Sequence, residues 1–230
     1  MNAETARRLL TATPVFAGME PTLLASLAEH ATTRTYRRGQ FVFQQDDPGG
    51  SMYVIESGSV KVGVASSAGA EIIFCTLGPG ESFGEISFLD GRPRSASVEA
   101  MEATRVLVLA RRFVEDILTR EPALSLVLLA YLGSTIRRLS EQAADLVFLD
   151  LEGRLAKCLA RLADSHGSPQ DDGIRIDLLL TQSDLARLVG ASRPSVNQAL
   201  ASFARRGFVS TTGRSIVVTD LDGLRRRART

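Results

Sequence analysis

Apolar positions along the first thirty residues come in short bursts. Leu9 and Leu10 form one, and Leu23, Leu24 and Leu27 form another, with the Thr13-Pro14 break between them. This spacing predicts short helices within residues 4–30. From Tyr36 to Ala110 the texture changes to brief β-branched or aromatic runs: Gln40–Phe43, Met52–Ile55, Ser59–Val64, Glu71–Phe74 and Arg105–Leu109. Turn residues punctuate them at Arg38-Gly39, Asp47–Gly50, Ser57-Gly58 and Gly78–Gly80. Many short strands at near-regular spacing predict an antiparallel barrel or sandwich. Residues 112–149 then lose almost all Gly and Pro. Leu128, Leu132, Ile136, Leu139, Ala143 and Leu146 recur at steps of 4, 4, 3, 4 and 3, flanked by Arg137, Arg138, Glu141 and Asp145. That is an a/d-like seam on one long helix. A second copy of the chain is the simplest partner for it; its own barrel is the alternative.

Beyond the long helix, Asp150 is placed to cap a helix over Leu151–Ala163. Composition predicts a loop over Ser165–Gly173 and a short strand over Ile174–Asp177. Thr181 caps a helix Gln182–Val189, Gly190-Ala191 makes a turn, and Ser192 caps a second helix Arg193–Arg206. Gly207–Val209, Thr212-Gly213 and Ser215–Thr219 read as a small hairpin. Helix, short glycine turn, helix and hairpin make a winged helix-turn-helix. The expected fold class is α+β: a jelly-roll-like antiparallel β-roll with its N-terminal helices over 1–111, a long dimerisation helix over 112–149, and the winged helix-turn-helix over 150–230.

Charge sharpens this division. The 230 residues carry a net +1. Residues 1–150 hold 14 Lys/Arg against 18 Asp/Glu, 14 − 18 = −4, whereas residues 151–230 hold 13 against 8, 13 − 8 = +5. A basic module implies an anionic partner. The Arg225–Arg229 run either adds nonspecific DNA affinity or is a frayed tail. Cys75 and Cys158 stand far apart and outside any CxxC, which argues against a disulfide scaffold or a zinc or iron–sulfur site. The start carries no signal-peptide core. The longest apolar run, Leu124–Leu132, is interrupted by Ser125 and falls short of the ~20 residues a membrane span needs. A cytoplasmic, reduced protein without a membrane segment is expected. No nucleophile–base pair or metal-ligand cluster suggests an enzyme.

The stretch that carries chemistry is FGEISFLDGRPRSASVEA, Phe83 to Ala100. It sets Gly84 and Glu85 ahead of Arg94, Ser95 and Ala96. A ribose phosphate needs a planar cation for its phosphate and a carboxylate for its ribose hydroxyl, with backbone amides and a hydroxyl to complete the cradle. These residues supply that set. The same pair would equally form a surface salt bridge worth ~0–1 kcal/mol.

FGEISFLDGRPRSA resembles the phosphate-binding cassette of cyclic-nucleotide-binding domains, with Gly39 and Gly58 at the tight turns. The stretches Phe148–Ala156 and Gly190–Arg193 extend the likeness. From about Val15 to Arg229 the chain resembles the Crp/Fnr family of bacterial regulators, in the branch that contains the catabolite activator protein. The resemblance implies a homodimer with an allosteric cyclic AMP in each β-roll, no other cofactor or metal, and paired winged helices on palindromic double-stranded DNA. It implies nucleotide contacts from Phe83, Gly84, Glu85 (ribose), Ile86, Arg94 (cyclic phosphate) and Ser95. It also implies base contacts at Leu139 and at Ser140 of the partner subunit. Leu139 stands where the family usually has Thr and cannot hydrogen-bond a base, which leaves cyclic GMP, or a ligand-independent regulator, open beside cyclic AMP. On the recognition helix the family's Arg, Glu and Arg positions hold Arg193, Pro194 and Gln198. Arg193 matches guanine, and Gln198 matches adenine. Asn197 is a further reader, Gln182, Ser183, Ser195 and Arg214 are placed on DNA phosphates, and Ser192 belongs to the same DNA-binding set. The polar loop around His166 is where the family can touch RNA polymerase. A nucleotide-sensing subunit that controls an enzyme is the rival from another class.

Overall fold

The computed structural model describes residues 2–16, 18–67, 69–111, 113, 123–212 and 215–229. They divide into two compact units, residues 1–64 with 74–137, and residues 65–73 with 138–230.

In the first unit, α1 (Ala3–Ala12), a 3₁₀ turn (Pro14–Phe16) and α2 (Pro21–His30) precede the strands. Asn2 caps α1 by accepting from the Thr5 amide at 2.8 Å. Eight strands follow: β1 (Thr32–Tyr36), β2 (Phe41–Phe43), β3 (Ser51–Ser57), β4 (Val60–Ala65), β5 (Glu71–Leu77), β6 (Ser82–Phe83), β7 (Ser97–Ala100) and β8 (Thr104–Ala110). They form two sheets, β1-β8-β3-β6 and β2-β7-β4-β5, whose described pairings are antiparallel. The predicted antiparallel β-roll is present.

β3 and β8 are central and buried on both faces. Met52, Val54, Leu107 and Leu109 pack with Leu10, Phe16, Leu24 and Leu27 under the N-terminal helices. Their neighbours Tyr53, Ile55, Val106 and Val108 point to the opposite face and fill the roll interior with Tyr36, Phe83 and Val98. This explains why both strands read as continuous apolar runs rather than alternating ones.

The long helix appears as α4 (Ala123–Phe148). Residues 112 and 114–122 of the predicted 112–149 helix lie outside the described residues. The seam splits in its environment. Leu128 is buried in the core of the first unit, with Val127 and Tyr131 packed beside it. Ile136, Leu139 and Leu146 are exposed.

In the second unit, α5 (Leu151–His166), α6 (Gln182–Val189), α7 (Arg193–Arg205) and α8 (Leu221–Arg227) surround a four-stranded sheet. Its order is β11 (Val209–Thr212), β12 (Ser215–Val218), β10 (Gly173–Ile176) and β9 (Gly167–Gln170). Leu155, Leu159, Leu185, Phe203 and Leu224 are almost fully buried.

Two expectations change here. The predicted loop 165–173 is largely a hairpin: α5 runs on to His166, and β9 pairs with β10 around Asp171-Asp172. The polar residues of β9 hid a ladder that backbone bonds make. A side chain at Gly167 would collide with the Ala163 carbonyl and Ile174, so glycine lets the chain leave the helix directly into the strand. The Arg225–Arg229 run is not a frayed tail, since Arg225–Arg227 close α8 and pair with acids. Arg225 meets Asp164 at 2.9 Å, and Arg227 meets Asp150 at 2.5 Å and Glu152 at 3.4 Å.

Asp150 therefore has two duties at the head of α5. Its Oδ1 accepts the Gly153 amide at 2.8 Å, and its carboxylate pairs with Arg227. The amide bond first, then Arg227, holds its pKa below the usual carboxylate value. A depressed carboxyl stabilises the fold above its unfolded pKa of about 4 and loses that contribution as pH falls through the folded value. Asp150→Asn keeps a good cap and loses the ion pair, so its deficit against wild type in urea melts shrinks below about pH 4. Asp150→Ala loses the cap as well, at a cost of about 1 kcal/mol more at pH 7. A deficit independent of pH would refute the ion-pair role.

Candidate functional site

Gly84 ends β6 and caps α3 (Glu85–Asp90) with φ +81°. The left-handed conformation favours glycine, and space does too: a Cβ there would sit 2.8 Å from Arg94 Nη1 and 3.2 Å from the Ser51 carbonyl. That close approach lets Arg94 fold inward across the start of α3. Its backbone is pinned on both sides by the preceding loop, with Arg94 N–H donating to the Asp47 carbonyl and Asp46 N–H to the Arg94 carbonyl, each at 2.9 Å. Asp46 itself holds φ +67°, a conformation that aspartate tolerates better than most side chains.

Arg94 is only 4% exposed. Nη1 donates to the Gly84 carbonyl at 3.0 Å and to Ser87 Oγ at 2.7 Å, and Nη2 donates to the Ser51 carbonyl at 2.8 Å. The guanidinium carbon lies 4.1 Å from the centroid of the Phe43 ring and 5.6 Å from that of Tyr53. Tyr53 stacks on Phe83 at 5.0 Å with 7° between planes. Burial pulls the Arg94 pKa down from its ordinary value, opposed by Tyr53 and then by the charges of Asp47 and Glu85. Burial likewise pushes the Tyr53 phenol up, with Arg94 opposing. Nε of Arg94 is buried without a hydrogen-bond partner. A buried guanidinium with an unused donor is suited to a compact anion. Glu85, half-buried on the first turn of α3, adds a carboxylate close enough to favour the cation.

The second candidate site is the helix-turn-helix. Thr181 and Asp184 form a reciprocal capping box on α6, and Gly190 ends that helix at φ +63°. Ser192 caps α7, accepting from the Ser195 amide at 3.3 Å, and Pro194 sits in the first turn, where its missing N–H leaves nothing unpaired. Gln182, Ser192, Arg193, Pro194 and Gln198 are exposed. Among the described residues Arg193 makes no ion pair. Val196, Ala199, Leu200 and Phe203 form the opposite, buried face. Arg154 supports the motif from α5, donating from Nε to the Val189 carbonyl at the end of α6, 2.9 Å away.

A family model for the cyclic nucleotide-binding domain matches residues 33–121, and one for the Crp-like helix-turn-helix domain matches residues 153–227. The chain is 37% identical over 221 residues to the CRP-like cAMP-activated global transcriptional regulator of Mycobacterium tuberculosis, covering 96% of this chain and 99% of that protein. The chain belongs to the Crp/Fnr family. It is also 32% identical over 196 residues to the cyclic AMP receptor protein of Thermus thermophilus, covering 85% of this chain and 88% of that one. The c-di-GMP-responsive global regulator CLP of Xanthomonas campestris shares the fold, with a TM-score of 0.75 over 86% of this chain and 99% of that one, at 22% identity. Crp/Fnr members are DNA-binding transcription regulators, not enzymes.

In this Crp/Fnr chain the predicted ligand residues fall into three groups. Phe83, Gly84, Glu85 and Arg94 come together at the mouth of α3. Ile86 and Ser95 lie at the surface. Leu139 and Ser140 are exposed on α4, in the second unit. Of the predicted DNA residues, Ser183 and Ser195 are half-buried, and the Ser195 hydroxyl is bonded to that of Ser192 at 2.8 Å. Asn197 is half-buried with its Oδ1 shut away from solvent. Arg214 lies outside the described residues. Sequence reasoning missed Ser51, Ser87, Phe43 and Tyr53 around Arg94. Ser87 had a signal, one helical turn beyond Gly84; the others come from distant strands. Burial pushes the Cys158 thiol up to about 11, in keeping with a structural cysteine. No helix of the described residues is long and apolar enough to cross a membrane.

Proposed function

We propose that this Crp/Fnr protein is a homodimeric regulator whose DNA binding is gated by a cyclic nucleotide, with cyclic AMP the foremost ligand. The observation that carries the reading is Arg94, a buried cation with an unpaired Nε near the end of the phosphate cassette. The cAMP-activated name of the Mycobacterium tuberculosis relative supports the choice of nucleotide. Exposed apolar residues along α4 support the dimer: Leu129 at 62%, Ile136 at 63%, Leu139 at 41% and Leu146 at 59%. In a dimer the two α7 helices would read major grooves ~34 Å apart. Arg193 would take guanine, Gln198 adenine, and Gln182, Ser183 and Ser195 phosphates. A shift of the DNA-binding equilibrium from 1:99 to 99:1 needs roughly 5.5 kcal/mol. Two ligands, with charge-assisted Arg94 hydrogen bonds of ~1.5–3 kcal/mol each, supply much of it.

Calorimetric titration with cyclic AMP and with cyclic GMP, beside sedimentation of the ligand-free protein, tests this reading. One site per subunit on a dimer is expected. Leu139 lacks the hydroxyl that a base contact would use, so Leu139→Thr is expected to improve cyclic AMP over cyclic GMP about three- to tenfold. An unchanged ratio would remove Leu139 from base selection. Folded dimer that gives no heat with either nucleotide would favour a ligand-independent regulator.

A further inference from the structure

A guanidinium carries five N–H protons. In Arg94, Nη1 serves Gly84 and Ser87, and one Nη2 proton serves Ser51. The Tyr53 side chain also hydrogen-bonds the guanidinium, and Nε–H remains. Nε is buried with no partner. These contacts fix the fork, and Nε keeps its donor for a ligand.

Two side chains hold the fork in this pose. Ser87 Oγ accepts from Nη1 at 2.7 Å and lies 3.5 Å from the Gly84 carbonyl, closing a triangle that sets the in-plane angle. Ser87 is itself 2% exposed and is wedged against Gly49, where an added Cβ would meet its Oγ at 3.0 Å. Phe43 sets the tilt of the plane. Its ring lies under the guanidinium and is locked by Tyr53 at 5.6 Å and Phe83 at 5.9 Å. We infer that Ser87 and Phe43 are positioning residues that present the Nε side of Arg94 to the cyclic phosphate. This rests on the reading of the cassette as a nucleotide site. A flat cation with its donor already aimed loses less freedom on binding, and a tilt of the plane would break the match.

The test is calorimetry on the full chain with cyclic AMP and cyclic GMP, for wild type, Arg94→Ala, Ser87→Ala, Phe43→Leu and Phe43→Tyr, with ligand-free melting temperatures for each. Ser87→Ala is expected to weaken nucleotide binding about tenfold. Phe43→Leu is expected to weaken it about three- to tenfold, and Phe43→Tyr to restore it. The losses should exceed any that follow from the melting temperatures. Wild-type affinity in Ser87→Ala and Phe43→Leu, with binding lost in Arg94→Ala, would overturn the positioning role and leave the nucleotide site standing. Losses that merely track melting temperature, with Tyr no better than Leu, would also overturn it. If Phe43→Leu does not fold, Ser87→Ala decides alone, since it deletes one oxygen. Wild-type protein that binds neither nucleotide would overturn the nucleotide reading and this inference together.

Discussion

Arg94→Ala is expected to remove cyclic-nucleotide binding, and Arg94→Lys is expected not to restore it. A bidentate guanidinium–phosphate contact comprises two charge-assisted hydrogen bonds at ~1.5–3 kcal/mol each, so the expected loss is about 3–6 kcal/mol, some 10²- to 10⁴-fold in affinity. Lysine keeps the charge but offers a point ammonium in place of a fork. It also cannot reach Gly84, Ser87 and Ser51 in the planar arrangement that holds Arg94. The stability effect is smaller. Truncation leaves the Ser51 and Gly84 carbonyls with fewer partners at about 1–3 kcal/mol, offset in part because a costly buried charge has gone. Calorimetry beside thermal melts separates the two effects. Folded Arg94→Ala protein that binds within tenfold of wild type would remove Arg94 from the site.

Arg193→Ala is expected to abolish sequence-specific DNA binding and to leave nucleotide binding untouched. Arg193 stands exposed on the first residue of α7, and Ser192 still caps the helix after truncation. One bidentate contact to guanine is worth about 1–3 kcal/mol. A dimer on a palindrome uses it twice, so the expected loss is about 2–6 kcal/mol, or some 30- to 10⁴-fold. The measurement is anisotropy on DNA selected from a random pool by wild-type protein, with salt held constant because phosphate contacts are salt-dependent. The variant should also tolerate base changes at the guanine position. An unchanged affinity and base preference would move specificity elsewhere on α7, to Gln198 first.

These two arginines were the most legible parts of the chain. Each lies in a local motif, where glycines, caps and a short turn declare the backbone. Gly84 and Gly190 do adopt left-handed φ, and Thr181, Ser192 and Asp150 do cap their helices. The polar strand β9 was not legible, because its register is set by backbone bonds to β10 rather than by side-chain alternation. The C-terminal arginines also misled: a like-charged run reads as solvated until Asp150, Glu152 and Asp164, some sixty to seventy-seven positions earlier, are brought beside it.

By itself the sequence determined the order of elements and the family, since caps, turns and motif spacing act over a few residues. The tertiary structure alone decided how Arg94 is held. Phe43 on β2, Ser51 on β3 and Ser87 on α3 converge on one guanidinium. They lie far apart in the chain, and only the closure of two sheets brings their carbonyl, hydroxyl and ring to the distances at which hydrogen bonds and cation–π attraction operate.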